Sequence, residues 1–306
     1  MPPTGPGKLD AITGTRSARR SLAAVALTIL ASLLLPVLAS AADGELAPAS
    51  GPRDPQAPSI KTAITAKKIF YDAEQRIKLR FQVDHVKSVT VQVELVRAED
   101  GKLVKTFKPK TLAPGELDTV KWDGKARGKA VRDGRYQFRV TAVDDDGAKA
   151  ETPERGDASR DAFGFYGHIF PIRGKHDYGE AGARFGAGRG GRSHQGQDAF
   201  ADCGTDLVAA RGGKVQARQY HEAAGNYLVI DGRGTDDDYV YMHLKKPSPR
   251  KEGETVTTGQ RIGAVGDSGN AAGCHLHFEL WSRPGWYEGG KPYDPLPSLK
   301  GWDDYS

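Results

Sequence analysis

From Ile77 onward, apolar side chains recur at every second residue: Ile77, Leu79, Phe81 and Val83, then Val89, Val91, Val93 and Leu95, then Tyr136, Phe138, Val140 and Ala142. Only an extended chain puts alternate side chains on one face, so each run reads as a strand with one buried side. In the third run Gln137, Arg139 and Thr141 take the other side. Asp100-Gly101, Asp133-Gly134 and Asp146-Gly147 punctuate the segment, and Asp-Gly pairs favour tight turns. Short strands with regular turns predict a β-sandwich over residues 59–149. It contains no cluster of histidine, cysteine or paired carboxylates, and Trp122 reads as core rather than as a ligand platform.

The polar stretch 150–162 has no periodicity and reads as a linker, which places a second domain at 163–300 and a tail at 301–306. That domain opens on a glycine-rich segment, GKHDYGEAGARFGAGRGGRSHQGQD, and then returns to short apolar strands. Candidate strands are Lys214 to Ala217, Tyr227 to Ile230, Tyr239 to His243, Arg261 to Val265 and His275 to Leu280. No long amphipathic helix interrupts them, so the fold class is mainly β, with a mainly antiparallel second domain.

Ahead of both domains, Arg16, Arg19 and Arg20 precede an uncharged apolar run from Leu22 to Leu38 that ends at Ala39-Ser40-Ala41. Residues 1–41 therefore read as a secretory signal peptide, and 42–58, rich in Pro, Ala and Gly, as a linker. The competing reading is an uncleaved anchor, because 17 residues sit at the lower limit for spanning a bilayer. Pro36 and the small-residue site argue for cleavage. The expected location is outside the cytoplasm, whether secreted, in the cell wall or in the periplasm, with membrane contact only through this segment. Without residues 1–41 the chain keeps 40 basic and 38 acidic side chains and no basic block, which argues against a nucleic-acid partner.

Four of the eight histidines fall in three short motifs: His194-Gln195-Gly196-Gln197-Asp198, Tyr241-Met242-His243-Leu244 and His275-Leu276-His277. On a strand, His275 and His277 project to one side and Leu276 to the other. A His-x-His pair alone is weak, since two histidines on a strand can simply be solvated. Hydrolytic zinc sites take three nitrogen or oxygen ligands and leave a fourth position for water, and two histidines with Asp198 would make such a set. His194 and Asp198 would lie roughly 13 Å apart in an extended chain, so a shared ion requires a turn or bulge near Gly196.

The motifs FPIRG, HQGQD, GNYLVIDG, YVYMHL, TTGQRIGAVGDSGN and GCHLHFEL, from about Phe170 to Leu280, resemble the lysostaphin-like zinc metallopeptidases, a family that includes peptidoglycan endopeptidases. The segment VKWDGKARGKAVRDGRYQFRVTAVDDDG resembles the Ig-like module of flagellar hook-cap proteins. The first resemblance implies Zn2+ held by His194, Asp198 and His277, catalytic roles for His275 and His243, and a peptidoglycan peptide as substrate. His275 is the favoured base and His243 the partner of the oxyanion or leaving group, a division that spacing leaves exchangeable. Glu279 reads equally as a group orienting a ligand and as a solvated side chain. Asn226 and the Gly266–Asn270 loop resemble groove positions of the family, although turn formation alone explains the glycines.

The two cysteines, Cys203 and Cys274, flank the ligand-bearing segments. Cys274 has opposite parity to His275 and His277, which makes it a poor fourth ligand and points to a disulfide with Cys203 in an exported chain. The alternative is two separately buried thiols. Two rival functions remain at this stage: a module that binds wall peptides or activates another hydrolase without turnover, and a zinc peptidase acting on exported proteins.

Overall fold

The computed structural model of the protein describes residues 47–48, 57–152 and 160–306. The expected signal segment 1–41 lies outside the described residues, as do most of the expected linkers 42–58 and 150–162.

The alternating runs form the predicted Ig-like sandwich. Ser59–Ile64, Ile77–Asp84 and Leu117–Trp122 pair antiparallel in one sheet. The other sheet runs in the order Lys68–Phe70, Ala162–Tyr166, Gly134–Asp144, Val89–Arg97 and Leu103–Thr106. Ile77, Leu79, Phe81 and Val83 are at most 1% exposed, so one side of the strand is wholly removed from water while Lys78 faces out. Trp122, also 1% exposed, packs its ring 5.3 to 5.8 Å from those of Tyr136, Phe163 and Phe165 and donates its indole N–H to the Lys125 carbonyl. Trp122→Ala is therefore expected to cost about 3–5 kcal/mol of stability. Denaturant unfolding measures it, and a loss below about 1 kcal/mol would show that this core does not depend on the ring.

Three expected boundaries shift. Ala47–Pro48, inside the expected first linker, adds an edge strand beside Ser59–Ile64. Lys149–Glu151 and Ala162–Tyr166, expected to be linker and the start of the second domain, both pair with Gly134–Asp144, and Phe163 and Phe165 are fully buried in the sandwich. Period-two patterning identifies a strand but carries no information about which sheet accepts it. At the other end, the expected tail 301–306 is the last part of a helix, Leu296–Tyr305, whose Leu299 and Trp302 belong to the core of the second domain. Its apolar positions are too few and too short in span to show a helical period.

The second domain is an antiparallel sheet ordered His176–Asp177, Gln197–Ala201, His275–Ser282, Asp237–Leu244, Gly225–Gly232, Gly213–His221 and Thr255–Val256. Leu276, Phe278 and Leu280 point to its buried side with Tyr239, Tyr241, Leu228 and Ile230, under the C-terminal helix. No helix among the described residues is long and apolar enough to cross a membrane.

The two domains meet through ordered contacts. The buried Arg211 guanidinium lies 4.0 Å above the Tyr71 ring and donates to the carbonyls of Gly167 (2.7 Å) and Arg233. Tyr166 stacks on Tyr305 at 3.9 Å, and Arg233 pairs with Asp72 at 2.6 Å. Beside this joint His168 stacks on Trp302 at 4.5 Å and shares a 2.7 Å hydrogen bond with the Tyr239 hydroxyl. Burial, aided by the nearby Arg211 charge, pushes the His168 imidazole from 6.5 down to about 3. The unfolded chain takes up a proton below pH 6.5 that the folded chain refuses, so this stability is complete above that value and drains away as pH falls toward 3. By about pH 4.5 the loss should reach roughly 3 kcal/mol. Urea unfolding of wild type and His168→Phe across pH 7 to about 4.5 checks this: the variant should show the shallower fall, and parallel curves would contradict it.

Candidate metal centre

Asp198 and His277 occupy directly opposed positions on neighbouring antiparallel strands, which puts their side chains on the same face. His275 shares that face two residues earlier, opposite Phe200. His194 reaches them from outside the strand, through the bend at Gly196 that the His-x-x-x-Asp spacing demanded. A Cβ at Gly196 would lie 2.4 Å from the Phe278 carbonyl oxygen and 2.8 Å from His277 Nε2, so only glycine lets the two strands approach here.

His243 arrives by another device. Tyr241 points into the core and Met242 to the outer face, so strict alternation would bury His243 in the core. Its φ of +60° reverses the alternation, sending Leu244 into the core and bringing the His243 ring to 4.7 Å from that of His275. A left-handed conformation at a non-glycine residue costs on the order of 1 kcal/mol or more, and such outliers cluster at functional sites.

Each of the four imidazoles has one nitrogen committed to an acceptor. Nδ1–H donates to the Arg184 carbonyl in His194, to the Ser268 carbonyl in His243 and to the Gly273 carbonyl in His275, at 2.8 to 2.9 Å. His277 instead donates Nε2–H to Glu279 Oε1 at 2.9 Å. These partners fix the tautomers of the neutral rings. The free lone pairs of His194 Nε2 and His277 Nδ1 then face Asp198 Oδ1, with separations of 2.9, 3.1 and 2.8 Å among the three atoms. Two ring nitrogens and a carboxylate oxygen turned toward one point suit a cation that displaces the proton between them; ligand atoms about 2.0–2.1 Å from a tetrahedral ion lie about 3.3 Å apart. His194, Asp198 and His277 are all buried and form the described residues' one cluster of metal-ligating type.

The electrostatics agree with that use. Burial disfavours charge on Asp198, but the hydrogen-bonding contacts of His194 and His277 outweigh it and hold the carboxyl below the usual range. Burial likewise opposes charge on His277, yet Asp198 and Glu279 raise it to about 9, so a cation would compete with a proton at Nδ1. Burial and the neighbouring His275 and His277 lower His243 to about 4, which keeps it neutral near pH 7 despite the Ser268 contact.

Glu279 is 3% exposed and also accepts the Trp281 indole N–H at 2.6 Å, which settles its sequence ambiguity in favour of a group orienting His277. The Gly266–Asn270 loop does more than turn, because its Ser268 carbonyl holds His243 while the Asn226 N–H donates to the Ser268 hydroxyl. Sequence reasoning missed Arg189, whose Nη2 donates to Asp198 Oδ2 at 3.2 Å. Cys203 and Cys274 form the expected disulfide, with Cα atoms 5.3 Å apart.

An antiparallel sheet here presents two histidines and an aspartate to one point, an arrangement that could hold a metal ion, with two further histidines alongside. Residues 192–295 are a Peptidase family M23 domain, and residues 66–146 are an FlgD Ig-like domain. Over 91 residues the chain is 38% identical to Peptidoglycan DD-endopeptidase ShyC of Vibrio cholerae, covering 29% of this chain and 20% of that protein. Over 115 residues it is 35% identical to lysostaphin of Staphylococcus simulans, covering 37% of this chain and 22% of that one. The solved catalytic domain of that lysostaphin, 31% identical, covers 41% of this chain and 92% of its own, with a TM-score of 0.36. The chain thus spans about a fifth of the length of these two curated relatives.

Proposed function

We propose that the protein is an exported zinc metalloendopeptidase that hydrolyses peptide cross-links of bacterial peptidoglycan. The observation that carries this reading is the convergence of His194 Nε2, Asp198 Oδ1 and His277 Nδ1 beside two more imidazoles. The peptidoglycan endopeptidases among the chain's relatives support the substrate, and the signal-like segment supports export. Two nitrogens and one carboxylate oxygen favour Zn2+ over the hard cations that prefer oxygen alone. Bound there, the ion would polarise the scissile carbonyl and lower the pKa of a water at the open fourth position.

The residues around it divide the remaining work. Glu279 keeps the His277 ring turned so that Nδ1 faces inward, and Arg184 does the same for His194 through its carbonyl. His275 and His243 both present an Nε2 lone pair, since their Nδ1–H groups are held by backbone carbonyls. Both rings thus begin as proton acceptors, with His275 as the base. The proton that His275 takes from the water is the one that must reach the leaving nitrogen, and His243, its ring 4.7 Å from that of His275, can act as donor to that nitrogen or to the tetrahedral oxygen only by receiving it.

The purified full chain should contain one zinc per molecule by elemental analysis. A chelator should remove the metal and the cleavage of wall peptides together, and added zinc should restore both. Activity that persists in metal-free protein would end this reading.

A further inference from the structure

The segment ahead of His194 is a hairpin folded back on the ligand-bearing chain. Gly186 N–H donates to the His194 carbonyl, His194 N–H to Ala187, and Arg189 N–H to Arg192 at 2.8 Å. Gly190 and Gly191, at φ +61° and +96°, close it in a two-residue turn that side chains would strain. The hairpin therefore holds Arg189 in a set position over the centre. Its guanidinium contacts Asp198 Oδ2, while Oδ1 of the same carboxylate faces the histidines, so the guanidinium stands one carboxylate's width from the convergence point.

That single contact does not use up the group. Arg189 makes one side-chain hydrogen bond among the described residues, its side chain is 38% exposed, and a guanidinium carries five N–H donors in a planar fork. Arg192, on the same turn, is exposed and has no ion-pair partner among the described residues. With a divalent ion at the centre, the two carboxylates Asp198 and Glu279 are already balanced, and both guanidinium charges are in excess at the rim. A planar donor fork beside the reacting centre with surplus positive charge suits a carboxylate, which it can bind in two parallel hydrogen bonds.

We propose that Arg189 determines specificity by binding a free carboxylate on a residue flanking the scissile bond, with Arg192 strengthening the local field, so that acidic cross-links are preferred over amidated ones. The inference rests on the endopeptidase reading above and narrows its substrate class. Arg189 also positions Asp198, so a simple loss of activity in a variant would not separate the two roles, whereas the ratio between matched ligands does.

The test uses the zinc-loaded full chain and two synthetic branched peptides that mimic a cross-link. They are identical except that the residue supplying the scissile nitrogen carries a free carboxylate in one and a carboxamide in the other. Cleavage is read as kcat/KM for each, and binding is read by calorimetry on His275→Ala protein with and without Arg189→Gln. The carboxylate peptide should be favoured roughly tenfold or more in both readouts, mainly through KM. Arg189→Gln should reduce that preference to within about twofold, and Arg189→Lys should keep part of it, with zinc content unchanged in both. A preference that survives Arg189→Gln, or equal losses on both peptides, would overturn the proposal, as would a wild type that binds and cuts both peptides equally. A wild type that neither binds nor cuts either peptide would overturn the endopeptidase reading itself, and this proposal with it.

Discussion

Replacing His275 by alanine is expected to lower the rate of wall-peptide cleavage by about 10²–10⁴-fold while the protein keeps its metal, the range over which a positioned general base acts. The asymmetry follows from geometry. His275 Nε2 stands 3.7 Å from Asp198 Oδ1, beside the three converging ligand atoms and not among them. Asp198→Ala should lose metal and activity together, because it removes the one anionic atom that faces both His194 Nε2 and His277 Nδ1. His243→Ala should resemble His275→Ala, because it removes the ring while alanine still bears the cost of the +60° backbone. Parallel measurement of turnover and zinc content separates the classes. Near-normal turnover in His275→Ala would show that the ring does not serve as the base.

The second large effect concerns the disulfide. Cys203 and Cys274 close a loop of 71 residues that contains most of the strands of the second domain, and the chain-entropy model gives such a bond about 4 kcal/mol. Cys274 also sits between His275 and Gly273, the residue whose carbonyl holds His275 Nδ1–H. The Cys203→Ser/Cys274→Ser protein should therefore unfold at lower denaturant and, where still folded, turn over more slowly with its zinc retained. Denaturant midpoints and turnover measured on the folded fraction check both parts. Unchanged midpoints would show that the second domain does not draw on the bond for its stability.

Much of this architecture was legible in the sequence, for reasons that differ from place to place. Alternation at Ile77 to Val83 and at His275 to Leu280 marked strands because one side of each is fully removed from water. That His194, Asp198 and His277 come together was legible from the motifs and the family they resemble, and Gly196 marked where the chain had to bend. What escaped notice depends on pairings and backbone conformations that the local pattern does not encode. Ala162–Tyr166 joined the first sheet because Gly134–Asp144 had an open edge, and nothing local says so. Arg189 touches Asp198 only through the hairpin that closes at Gly190 and Gly191. The outward turn of His243 needs a backbone conformation that a histidine rarely adopts, so alternation alone would have placed it in the core. Glu279 became interpretable only when its two oxygens were seen to accept from His277 and Trp281.

The most direct test of the central claim is digestion of purified sacculi by the zinc-loaded full chain, with the released fragments identified by mass spectrometry. The account predicts soluble fragments bearing new peptide amino and carboxyl termini at cross-links, absent after chelation and absent with His275→Ala. Intact sacculi, or fragments whose only new ends are on the glycan strands, would contradict it.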